Sequence, residues 1–151
     1  MTRTGEGSAG AVRDRKAIWA WRLAVLAPLV VPLVAVRTTS ATLVFPWGMV
    51  ALEGFYVTTL PEYLSATAGL PRYLRMWPVG TACYVLGAVW AAGERLGADP
   101  RVAAGLFALA ALAAGWTAWG LAAEPTRSAV PVGSVLLGGL AGWAYLNGRE
   151  R

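Results

Sequence analysis

The sequence contains no histidine and one cysteine, Cys83; of its 13 basic residues only Lys16 is a lysine. The missing imidazole removes histidine acid–base catalysis, serine–histidine nucleophile pairs and most zinc, haem and copper ligand sets. A single cysteine excludes an intrachain disulfide, and its place in an apolar run marks it as a small packing residue. Charge is also scarce, at 14% of the 151 residues, while 57% are hydrophobic and the mean hydropathy is +0.53. Those values lie far from soluble-domain averages and point to a membrane class. The net charge of +5 sits mostly in tails and short loops. There it would orient a chain in a bilayer; it gives no support to nucleic-acid binding.

What is present divides into apolar runs around one unusual stretch. Residues 1–17 are polar, glycine-rich and then basic, predicting a disordered N-terminal tail. Four runs follow that suit membrane spans of about 20 residues: about 18–36, 74–92, 102–123 and 129–146, with 147–151 as a C-terminal tail. The expected fold class is therefore an all-α integral membrane protein with four transmembrane helices. An interfacial insert, residues 37–73, lies between spans one and two. Pro28 and Pro32, four residues apart, predict a kink in span one. Asp99 before Pro100 reads as a helix N-cap followed by a first-turn proline.

Within the insert, Ala41 to Leu60 is apolar enough to offer a fifth span, although Pro46, Gly48, Glu53 and Gly54 interrupt it. With four spans, nine basic residues lie inside against four outside (Arg37, Arg72, Arg75 and Arg127); a fifth crossing makes this eight against five. The positive-inside rule favours four spans, with both termini cytoplasmic in a multi-pass cell-membrane protein. Thr59 and Glu62 form a capping-box spacing that predicts a short helix over about Pro61 to Thr67. Pro46, Trp47 and Glu62 are the expected anchors of the insert. Trp47, between proline and glycine, is expected to hold it at the membrane interface, and most other tryptophans fall near predicted helix ends as an aromatic belt.

Small residues recur at four-residue spacing, as Ser134, Gly138 and Gly142 and again as Ala110, Ala114, Ala118 and Ala122. In lipid such faces serve close helix packing, within the chain, against a partner or in a homo-oligomer. Thr81, Cys83, Tyr84, Thr117 and Ser134 are the only polar side chains well inside spans two to four, and none is the mid-membrane ionisable group a coupled carrier needs. Arg72 and Arg75 lie three residues apart after Pro71. Placed on the first turn of span two, they oppose the helix dipole and make a candidate contact for an anionic lipid headgroup or other anionic ligand; snorkelling, or pairing with Glu53 or Glu62, is the plainer account.

The segments LVFPWG (Leu43 to Gly48) and TTLPEYL (Thr58 to Leu64), between a first span and three later ones, resemble an uncharacterised family of small four-span membrane proteins from halophilic archaea. The resemblance runs from about Arg22 to Trp143. It implies the topology and the importance of the insert, and no catalytic residue; from the residues, no cofactor or metal is expected. The function expected is that of a non-catalytic accessory or assembly subunit of a membrane complex. A transport or channel component is the alternative, and a membrane enzyme using Glu53 or Glu62 a further one.

Overall fold

The computed structural model describes residues 6–66, 69, 71–93 and 97–149. The order of elements is α1 (Glu6–Leu26), a 3-10 turn (Ala27–Leu29), β1 (Val34–Arg37), β2 (Ala41–Val44), β3 (Gly48–Ala51), β4 (Tyr56–Thr59), α2 (Leu60–Ala66), α3 (Met76–Ala92), α4 (Pro100–Ala122), β5 (Ser128–Val130) and α5 (Val132–Arg149). The five strands form one antiparallel sheet in the order β4-β3-β2-β1-β5.

This overturns the all-α, four-span expectation. Among the described residues α4 is the one helix long and apolar enough to cross a membrane; α3, with 17 residues, is apolar but shorter. The multi-pass localisation with two cytoplasmic termini falls with it. The physical reasons are local. Pro28 and Pro32 end α1 rather than kink it, so the run expected to finish span one becomes a 3-10 turn and then β1, built from Val34, Ala35, Val36 and Arg37. Pro131, which cannot donate to a ladder, separates β5 from α5 at the start of the run expected as span four. Helix α1 already begins at Glu6, inside the stretch expected as a disordered tail, whose residues 1–5 lie outside the described ones.

The insert is a β-meander whose turns follow its breakers. Phe45-Pro46-Trp47 makes the β2–β3 turn, closed by Phe45 N donating to Gly48 O at 2.7 Å. Residues Leu52–Phe55 make the β3–β4 turn, with Gly54 at φ 82°. The Thr59 amide donates to Glu62 Oε2 at 3.4 Å, and α2 starts there. Strand β5, about 90 residues further along, completes the sheet beside β1 through the pairs Ala35↔Val130 and Arg37↔Ser128.

The core lies where the sheet meets the helices. Val34 and Val44 are buried against Trp77, Ala110 and Ala114, leaving a gap of only about 10 Å³. Two side chains fasten the meander to α3: Trp77 Nε1 donates to Phe45 O and Thr81 Oγ1 to Pro46 O, each at 2.9 Å. Helix α4 runs between α3 and α5. Its N-cap is Asp99, whose Oδ1 accepts the Arg101 amide at 2.9 Å, with Pro100 opening the first turn. The far end of the bundle is aromatic. Phe107 meets Trp21 edge-on at 6.4 Å, Trp21 meets Trp143 at 5.5 Å, and Tyr84 lies tilted against Phe107.

Candidate functional site

Among the described residues no group of histidine, cysteine, aspartate or glutamate is placed to hold a metal. Glu53 is exposed in the β3–β4 turn, and Glu62 is exposed at the start of α2, where its carboxylate accepts the Thr59 amide. The structure thus puts the two acids of the enzymatic alternative on separate turns, one of them engaged in capping.

The expected anchors of the insert bind the protein to itself. Pro46 is buried and its carbonyl receives Thr81. Trp47 donates from Nε1 to Leu29 O at 2.9 Å and stacks on Phe45, ring centres 5.1 Å apart at 16°, which ties the β2–β3 turn to the 3-10 turn that follows α1.

Arg72 and Arg75 are exposed in the turn preceding α3, with Arg75 as its N-cap. Tyr73 between them lies against Gly120, in the last turn of α4, and its carbonyl accepts Thr117 Oγ1 at 3.2 Å. The sequence expectation set them on the first turn of the following helix; the structure places both just ahead of α3.

Among the described residues one titratable group is strongly displaced. Tyr84, buried at the α1–α3 contact, donates from its hydroxyl to Val25 O at 2.8 Å, and desolvation pushes its pKa from 10.0 up to about 12. The folded state holds the phenol protonated. Above pH 10 the unfolded chain gives up this proton first, so stability is full below pH 10 and falls between pH 10 and 12, by about 2–3 kcal/mol from this group. Alkaline unfolding followed by circular dichroism should show that slope, and Tyr84→Phe should flatten it.

A groove of about 690 Å³ lies between α4 and α5. Its floor is made of small residues, among them Ala111, Gly115, Ser134 and Gly138, and its wall carries Leu112, Trp116 and Trp119. Trp116 and Trp119 meet edge-on at 5.4 Å yet stay 52% and 68% exposed. Ser134 Oγ donates across the floor to Ala111 O at 3.0 Å, and no buried side-chain polar atom lacks a partner among the described residues. The groove offers an apolar surface with its polar atoms satisfied, suited to docking rather than to chemistry.

The two small-residue stripes turn out to differ. Ala110, Ala114 and Ala118 are buried inside the protein, whereas Ser134 and Gly138 line the groove and Gly142 continues the exposed line beyond it. Periodicity identified both stripes; only the fold tells which already has an occupant. The family described as Domain of unknown function (DUF8050) matches residues 2–151 of the chain. No curated protein matches it.

Proposed function

The chain belongs to the DUF8050 family, whose description states no activity, and we propose from its surface a non-catalytic accessory or assembly subunit of a membrane complex. In this role the α4–α5 groove receives an apolar helix of a partner. One observation carries the reading, the division of the helix glycines into two kinds. Gly80, Gly87, Gly120 and Gly133 each sit where a Cβ would press on Ala113, Phe107, Tyr73 and Leu33 respectively. Gly105 of α4 faces open space, and so do three clustered glycines of α5, Gly138, Gly139 and Gly142, with nothing within 4 Å of a Cβ built on them. Each interior glycine costs a helix about 1 kcal/mol relative to alanine, so these three together weaken α5 by roughly 3 kcal/mol without any steric need inside the chain. A helix backbone approaching from outside supplies that need, since glycine lets two backbones come close. The half-exposed Trp116 and Trp119 then bracket the incoming helix as large anchors. The transport alternative gains no comparable support. Thr117, the buried polar residue at this level of α4, has its hydroxyl engaged with Ala113 O and Tyr73 O.

Replacing Gly138 and Gly142 together by leucine tests this role. Leucine at both positions fills the docking line while improving helix propensity, so stability is expected to hold or to rise by about 1 kcal/mol per site. Native electrophoresis of gently solubilised material from the source cell should show a larger assembly for the original chain and the lone monomer for the double variant. A lone monomer for both, or an unchanged assembly in the variant, would defeat the proposal.

A further inference from the structure

A second unoccupied apolar feature lies at the other end of the sheet, and it stands independently of the groove. The β3–β4 turn closes on Phe55, the sole non-glycine residue with positive φ among those described, at 48°. That conformation is uncommon and strained for a bulky side chain, and such strain persists where the surroundings impose it. Here it holds the ring outward, 83% exposed, with Leu52, Tyr56 and Val57 exposed beside it. These four side chains stand at the turn without being covered by any of the described residues.

Polar groups stand directly behind it. Leu52 N donates to Ala41 O at 2.9 Å, and Ala41 pairs with Arg37, so the β1–β2 turn with Arg37, Thr38 and Thr39, all exposed, flanks the tip. A convex apolar point of Leu, Phe, Tyr and Val, backed by a guanidinium and hydroxyls, matches the layering of a lipid surface: acyl boundary first, phosphate and water behind. We infer that the Leu52–Val57 tip inserts into the interfacial layer of a lipid bilayer. Glu53 at the apex offsets Arg37, so the contact needs no anionic lipid. The edge of the sheet at this place is poorly made for strand addition instead. The bond from Leu60 N to Trp47 O sets the ladder so that the Val57 and Thr59 amides face outward, and Glu62 already caps the latter.

The test is local, because the helices carry apolar surface of their own. In a Cys83→Ala background, Glu53→Cys takes an environment-sensitive fluorophore, and the full chain is mixed with phosphatidylcholine vesicles containing bromine-labelled acyl chains. The emission should move to the blue, bromine should quench it, and protection from aqueous iodide should rise several-fold. Phe55→Gly relieves the strained φ and so keeps the fold, yet it should lower the bromine quenching several-fold. A label that stays open to iodide overturns the inference. So does a label shielded from iodide but untouched by bromine, which assigns the tip to a protein pocket.

Discussion

Gly133→Ala should destabilise the protein by about 3 kcal/mol, although it adds a single methyl group. A Cβ at this position would lie 2.5 Å from Leu33 Cα and 3.0 Å from Leu33 O. Those are backbone atoms, so no rotamer change can clear them. Nor can the chains part, since the Gly133 amide donates to Leu33 O at 2.8 Å and Leu33 N donates to Val44 O at 2.7 Å. The methyl must push the first turn of α5 away from the sheet and break that chain of bonds. Gly138→Ala, five residues along the same helix, is the control: it meets nothing and should gain about 1 kcal/mol from helix propensity. Opposite shifts of the chemical-denaturation midpoint in the two variants would confirm the geometry; equal shifts would refute it.

Phe107→Ala should cost more, about 3–5 kcal/mol. Phe107 is fully buried, and its ring is the common neighbour of Trp21 on α1, Tyr84 on α3 and Gly87 on α3. The close approach at Gly87, with ring carbons 3.0 and 3.1 Å from where a Cβ would stand, leaves α3 no side chain with which to fill the cavity. Trp21 can turn only by giving up its edge contact with Trp143. The deletion should therefore loosen α1 as well as lower the midpoint. Amide exchange around Trp21 to Val25 should accelerate in the variant, and protection of those amides equal to the parent's would contradict this account of the packing.

The sequence revealed helix α4, the Asp99 cap and the Thr59–Glu62 pair, because each is written in neighbouring residues: one long apolar run, or a capping spacing of two or three. It also marked Pro46 and Trp47 as special, from the proline–glycine punctuation around them. It hid the sheet. Val34–Val36, Ala41–Val44 and Gly48–Ala51 show almost no polar alternation although they are only partly buried, and short apolar strands of this kind have the same hydropathy as a membrane helix. Length could have separated them: breakers at Pro32, Ser40, Pro46 and Gly54 cut this region into pieces of strand length, too short for a span. The pairing of β5 with β1 was out of reach, since a three-residue strand has no periodicity. The groove was legible only in half. The Ser134–Gly138–Gly142 spacing pointed to a contact face, while the tryptophans beside it were assigned to an aromatic belt rather than to its wall.

That β5–β1 pairing also sets an order of events during synthesis. Strands β1 to β4 and α2 are consecutive in the chain and can close by short turns as soon as they emerge. The outer edge of β1 stays open until Ser128–Val130 is made, and Ser128 Oγ reaches Arg37 O across a separation of 91 residues. Contacts of that span carry the largest loop-closure cost and form late. The nascent meander must therefore wait with a bare valine-rich edge while α3 and α4 are built, and that edge is where premature pairing between two growing chains would begin.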